Sequence, residues 1–493
     1  MKNTFSLTIR SILSLILAAA LLVGALASCG GDSKPAPAGT AADGANLAAE
    51  PEAEKLYLDD LPEREDLGGY TVRLLTSDKR SFEALEDAID VTDVEVYKRQ
   101  LLVEERFNVK INTIIDDNWG TNATTLKNSV LAGSDDYDVY ACYGYWSIGL
   151  ATEGIVMNLK TAPNLDLDKP YWGDKFNDAM AYKDYMYWIT GDIALSYTDG
   201  IYATYVNLKK FASKYPGDNI YQIVRDGKWT LDNLYTYSES AYEDLNGDGQ
   251  PNEGDFFGYS YSKEDMIDGM SMAAGVKYTT RDADGVPQLY ITKDNTAVTF
   301  SEKLAQLCGS QSVFLANSDD GAAMAKLFSD GLVLFIVGRI NYAATRMRDM
   351  EDDFAIIPAP KLNEEQSTYL TTLHDGTTLI GIPKTISEQG LNVSTYVLEA
   401  MAAESSRSLT PVYLDVALKN KYTRDADSAE MIDLIRENIV SDFGFLYTET
   451  GMNNFFRGYV LKGEGIASII AKMEKKWNKT LDKIITNLEE NAG

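Results

Sequence analysis

The sequence predicts an α/β fold divided into two domains, and two observations carry that reading. Between Tyr70 and Ala141 the pattern runs strand, helix, strand, helix, strand, the order of a parallel sheet flanked by helices. About 440 of the 493 residues remain once the N-terminal segment is set aside, more than one compact core accommodates. At 45 % hydrophobic, with 30 Tyr and 6 Trp, the chain has material for two cores and a large supply of aromatic surface.

The elements follow in order. Gly68 and Gly69 precede a strand over 70–76, which ends at Ser77 and Asp78. Thr92-Asp93-Val94-Glu95 has the form of a helix capping box. Val94, Tyr97 and Leu101 then share a helix face as far as Asn108, and Val109, Ile111 and Thr113 alternate as in a strand. A helix over 123–131 leads to a buried strand over 137–141. Further strands are expected over 185–190, 201–206, 331–337, 354–357 and 379–382, with a helix capped by Thr230. Ile466, Ile470, Met473, Trp477, Leu481, Ile484 and Leu488 recur at three or four residues, a long amphipathic helix. No internal repeat is visible.

The N-terminus reads as a targeting segment. Lys2 and Arg10 are the only charges before an apolar run over 12–26, which is short for a membrane span and fits a signal peptide. Leu26-Ala27-Ser28-Cys29 resembles the lipobox of bacterial lipoproteins. That resemblance implies removal of residues 1–28 and diacylation of Cys29, and two acyl chains give firm anchoring. Residues 29–55, rich in Gly, Ala, Pro, Asp and Ser, form a tether with too few apolar side chains to order itself.

Charge narrows the function. With 45 basic and 74 acidic residues the net charge is −29, a poor basis for gripping nucleic acid or anionic lipid. Apart from Cys29 only Cys142 and Cys308 are present, with no disulfide framework or zinc-ligand spacing. Both are expected as free, buried thiols.

Several segments, in order, resemble an extracellular solute-binding protein of the sugar-importer type, the class that includes maltodextrin-binding proteins. They are the strand over 72–76, residues 94–111 (VEVYKRQLLVEERFNVKI), 137–140 (YDVY), 205–211 (YVNLKKF) and 229–232 (WTLD). Residues 334–341 (LFIVGRIN), 354–360 (FAIIPAP), His374-Asp375 and 382–385 (IPKT) complete the set.

The resemblance implies a two-lobed periplasmic-binding-protein-like α/β fold, with a hinge of about three crossing segments and ligand in the cleft. The crossings are expected near 192–204, 354–360 and 405–413. They divide the chain into an N-lobe of 56–195 plus 358–405 and a C-lobe of 196–357 plus 406–493. The implied role is the lipid-anchored substrate-binding subunit of a bacterial ABC importer, at the cell surface or in the periplasm. Such a subunit, here expected as a monomer, captures a solute by hinge closure. It delivers the solute to two permease subunits whose partner ATPases power release. An oligosaccharide is the expected solute, and a peptide the alternative.

A sugar needs flat rings for its C–H faces and polar side chains for its hydroxyls. Beyond strand ends, where α/β sheets bind ligands, stand Ser77, Asp78 and the loop Cys142-Tyr-Gly-Tyr-Trp146. Tyr145 and Trp146 fit ligand contact and core packing alike; Tyr171, Trp172 and Trp229 fit packing better. Asp192 falls at the expected hinge. Arg339 and Asn341 follow a strand of the opposite lobe, where the family places ligand contacts. The sole histidine, His374, and Asp375 are further candidates.

One motif stands apart. Asp244, Asn246, Asp248, Gln250, Asn252 and Asp255 place oxygens at positions 1, 3, 5, 7, 9 and 12 of an EF-hand-like loop, with Gly249 at position 6. One structural calcium ion is expected there. Position 12 is Asp where bidentate ligation uses Glu, which lowers the expected affinity. No Gly-x-Ser-x-Gly elbow, zinc helix or P-loop is present. A binding protein rather than an enzyme is therefore expected. A surface glycoside hydrolase stays open as an alternative, because two carboxylates suffice for it.

Overall fold

The computed structural model describes residues 57–262, 265–316, 321–419, 426–459 and 465–491. The signal peptide, Cys29 and the tether lie outside these residues.

The first lobe is built on four strands: β1 (Thr71–Thr76), β2 (Lys110–Ile115), β3 (Val139–Tyr143) and, from late in the chain, Thr378–Gly381. β1 pairs in parallel with both β2 and β3, and the late strand runs antiparallel on the outer edge of β3. Strand order is late strand, β3, β1, β2. Alternating Val72 and Leu74 face one apolar layer, which Val103 and Phe107 of the helix Val91–Phe107 complete. That helix is capped by Asp90, whose carboxylate accepts the Thr92 N–H at 2.9 Å. The capping box expected at Thr92 is therefore displaced by two residues: Asp90 belongs to the same capping class, and Thr92 is buried inside the first turn. Asn108 ends the helix in the left-handed conformation, φ 48°.

The second lobe holds five strands. They are β4 (Tyr202–Asn207), β5 (Phe257–Tyr261), then, after the hairpin β6 (Thr279–Arg281) and β7 (Pro287–Leu289), β8 (Val313–Leu315), β9 (Val333–Arg339) and β10 (Phe354–Ile357). Their order is β10, β4, β9, β5, β8, with the β9–β5 and β5–β8 pairs parallel. β9 is apolar from Val333 to Val337 because it is buried on both faces. The late first-lobe strand, Thr378–Gly381, is β11. Trp229 is a packing residue: its indole N–H donates to the Pro358 carbonyl at 3.0 Å and its ring lies 5.3 Å from that of Phe335.

Two expectations fail in instructive ways. Residues 185–190 form no strand; Ile189 pairs with Ile380 and Tyr185 with Tyr182 only as isolated bridges. The chain also does not leave the second lobe at 354–360. Phe354–Ile357 is an edge strand of that sheet, and Lys361 is still held there by its N–H to the Trp229 carbonyl at 3.1 Å. The return passes later. Thr371 to His374 runs antiparallel to the outgoing segment, where Ile201 pairs with Leu373 and His374 N–H donates to the Gly200 carbonyl at 2.8 Å.

The third crossing is helical. Glu388–Glu404 continues through a π turn, Ser405–Leu409, into Thr410–Lys419. Arg99, buried in the first lobe, ties two crossings together by donating to the Ile193 carbonyl and the Ser405 hydroxyl, each at 2.8 Å. Cys142 is a buried free thiol whose burial pushes its pKa up to about 12. Cys308, expected buried, is also free but only partly shielded, since it ends the helix Thr296–Cys308.

Candidate functional site

A cavity of about 430 Å³ opens at the ends of β3 and β9, whose last residues, Tyr143 and Arg339, both line it. Trp119, Tyr143, His374, Gly376 and Thr377 line it from the first lobe and from the returning segment. Ser196, Asp199 and Gly200 form its floor, and Arg339 and Asn341 face it from the second lobe.

The first-lobe wall is aromatic. Tyr143 is the last residue of β3, and Trp119 sits in the loop after β2. Their rings stack with centroids 5.4 Å apart and planes at 26°, leaving Trp119 56 % exposed. His374 meets the Tyr143 ring edge-on at 6.3 Å. Its Nδ1 accepts the Gly376 N–H at 2.9 Å and stands 3.5 Å from Asp375 Oδ1. Two glycines make this close approach possible. A Cβ at Gly376 would stand 2.6 Å from the Tyr143 ring, and one at Gly200 would stand 2.9 Å from Thr377 Oγ1.

The polar groups divide into those committed to the scaffold and those left over. Asp199 accepts from both Arg80 and Tyr413, joining the first lobe to two crossings; burial pushes its pKa up against the opposing pull of Arg80. Arg339 lies against the Tyr342 ring at 5.2 Å and donates to its hydroxyl at 3.2 Å. Asn341 differs. Its Oδ1 is buried and accepts no hydrogen bond from the described residues. A buried acceptor left so is costly unless something outside the chain satisfies it.

The structure thus gathers Arg339, Asn341 and His374 in one cleft. Asp375 is adjacent, accepting the Tyr143 hydroxyl at 3.4 Å. Ser77 works from behind, its hydroxyl accepting the Tyr143 N–H at 3.2 Å. Asp78 is spent on first-lobe scaffolding, capping the short helix Lys79–Phe82 through Ser81 and accepting Thr378 Oγ1 at 2.8 Å. Tyr145 lines a narrow neighbouring cavity with His374 and Asp375, and packs edge-on against the 52 % exposed Trp146, which lines neither. Asp192 faces a separate, larger cavity of about 700 Å³, where Arg436 pairs with it at 3.1 Å and burial raises its pKa.

The smaller cleft is the better candidate, because parallel α/β sheets bind ligands beyond the carboxyl ends of their strands. Sequence reading missed Trp119, and within the loop Cys142–Trp146 it singled out Tyr145 and Trp146 where the cleft is lined by Tyr143. The one signal available for both was position, immediately after β2 and at the end of β3.

The Asp244–Asp255 loop lies away from the cleft lining. Asp244 accepts the N–H groups of Gly247 at 2.6 Å and Gly249 at 2.9 Å, and Gly249 takes φ 71°. Asp248 accepts from Gln250 N–H at 2.8 Å; Asp255, fully buried, accepts from Leu245 N–H at 3.2 Å and Asn252 N–H at 3.0 Å. Asn246 donates to Asn252 Oδ1 at 2.9 Å. Among the described residues no three His, Cys, Asp or Glu side chains are arranged as a ready metal centre.

No family model and no curated relative matches the sequence. Solved structures do match over most of the chain. The GacH receptor of Streptomyces glaucescens, solved unliganded and with acarbose, is 14 % identical with a TM-score of 0.52, covering 84 % of this chain and 99 % of its own. UgpB from Mycobacterium tuberculosis, solved with glycerophosphocholine, is 14 % identical with a TM-score of 0.56, covering 85 % and 100 %. The galacto-N-biose-/lacto-N-biose I-binding protein of an ABC transporter from Bifidobacterium longum, solved with lacto-N-biose, is 12 % identical with a TM-score of 0.56, covering 85 % and 98 %. The chain shares the two-lobed α/β fold of these binding proteins.

Proposed function

We propose that the protein is the solute-capturing subunit of a bacterial ABC importer and that its ligand is a short oligosaccharide. The observation that carries this is the stacked Trp119–Tyr143 pair, half exposed at strand ends and facing Asn341 and Arg339 across the cleft. A flat ring platform opposite hydrogen-bonding side chains suits a sugar, which is apolar on its faces and polar on its rim. The cleft volume, about 430 Å³, lies toward the small end of the roughly 300–1,000 Å³ of small-molecule sites. Ligand touching both lobes would shift the population toward the closed form. Two solved neighbours carry sugars or sugar analogues, and one carries a glycerophosphodiester.

The role needs no turnover. Asp199, the carboxylate on the cleft floor, is engaged by Arg80 and Tyr413 and so is poorly placed as a general acid or base. The mature chain would be held outside the membrane through lipid on Cys29 and would dock as a monomer on two permease subunits with their ATPases. No described helix is long and apolar enough to cross a membrane. The Asp244–Asp255 loop is proposed to take one calcium ion weakly, because its carboxylates must first turn from backbone N–H groups to the metal. Titration calorimetry with mono- to tetrasaccharides and glycerophosphodiesters tests the ligand class. Saturable sugar binding without hydrolysis products supports the proposal; product release or indifference to every sugar overturns it.

A further inference from the structure

The C-terminal helix, Ile466–Asn491, belongs to both lobes. Its first half packs in the second, where Trp477 is buried with its ring 5.0 Å from that of Phe455 and the helix lies along β7. Its last two turns lie on the first lobe. Leu488 is fully buried there, and the Tyr187 hydroxyl donates to its carbonyl at 3.5 Å. Tyr182 Oη and Lys183 Nζ donate to Glu489 at 2.6 and 3.0 Å, and Asn491 Nδ2 donates to the Thr152 carbonyl at 3.0 Å. These partners belong to the first lobe, since Val156 and Ile189 pair beside β11. One unbroken helix of 26 residues, about 39 Å long, makes the span.

Two neighbouring segments make the same span. Arg281, on the β6–β7 hairpin, donates to the carbonyls of Asp178 at 2.8 Å and Ala181 at 2.6 Å. Tyr447, fully buried, donates to the Met180 carbonyl at 3.2 Å. Phe445, Leu446 and Thr448 close the narrow cavity against Tyr145, His374 and Asp375. That cavity shares His374 and Thr377 with the ligand cleft, so the contact seals one end of the groove. Parting the lobes there would expose Leu488, Tyr187, Phe445 and Tyr447, all now shielded from water.

We propose that the C-terminal helix, with residues 443–450, is a fourth tie between the lobes that holds one end of the cleft shut without ligand. The lobes then part fully only when the last two turns leave the first lobe. This goes beyond solute capture and does not depend on which solute is taken.

Small-angle scattering on the full, unliganded chain tests it, comparing wild type with Leu488→Asp. The tie predicts a compact unliganded wild type and a larger radius of gyration in the variant with unchanged circular dichroism. A wild type as expanded as the variant, or a variant as compact as the wild type, overturns it. Hydrogen exchange on wild type decides the matter if Leu488→Asp does not fold. The tie requires amides from Ile484 to Asn491 to be protected as well as those from Ile469 to Trp477, and rapid exchange confined to the last turns contradicts it. Either result leaves the sugar-binding reading to its own calorimetric test.

Discussion

Trp119 stacks on Tyr143 at 5.4 Å, and the pair turns the end of β3 into an aromatic platform half open to solvent. Because Trp119 is exposed, its loss should cost binding and not folding. Trp119→Ala is expected to weaken sugar affinity about tenfold, roughly 1.4 kcal/mol, with the melting temperature unchanged. Trp146→Ala, outside the cleft lining, should leave affinity as it is. Calorimetry of the two variants side by side checks both statements.

Asn341 Oδ1 is buried without a partner among the described residues, so a ligand hydroxyl is the natural donor to it. Asn341→Ala should lose binding by the penalty of leaving the ligand hydroxyl buried and unpaired, about 1–3 kcal/mol. Its unliganded stability should not fall. A variant that binds sugar normally would remove Asn341 from the site.

Glu399 supplies a pH dependence. Burial raises its pKa from 4.5 to about 7, against hydrogen bonds from Tyr171, Trp172 and the Asp166 N–H. The folded carboxyl holds its proton more tightly than the unfolded one. Its contribution is therefore fully present below about pH 4.5 and is lost as the pH rises through about 7. The loss is about 3 kcal/mol at most. Denaturant melts at pH 5 and pH 8 should show a smaller drop for Glu399→Gln than for wild type.

Calcium binding at the Asp244–Asp255 loop predicts a calcium-dependent melting temperature. Wild type should melt higher with millimolar calcium than with chelator, and Asp248→Ala should abolish the difference. Equal melting in both conditions would make the loop an ordinary Asx-rich turn.

How far the sequence could be read depends on the kind of signal each residue sends. β9 and β10 were legible because strands buried on both faces write unbroken apolar runs, as Val333 to Val337 does. The Ile466–Leu488 stripe announced a helix, but a stripe does not say which lobe it covers, and here it covers both. Residues 185–190 have strand composition yet pair only singly, because Ile189 sits beside β11 and its neighbours do not. Arg339 and Asn341 are candidates in the sequence because the resemblance implies ligand contacts after β9, and His374 because it lies in a loop before β11. The structure brings all three to one cavity. Trp119 could not be named in this way: a lone aromatic in a polar loop looks the same whether it faces solvent or ligand.

The most direct test is a crystal structure with the sugar that gives the largest thermal shift. The account predicts that sugar ring on the face of Trp119, with a hydroxyl donating to Asn341 and both lobes in contact with it. Sugar lodged instead in the larger cavity beside Asp192 and Arg436, or absent from both, would contradict it.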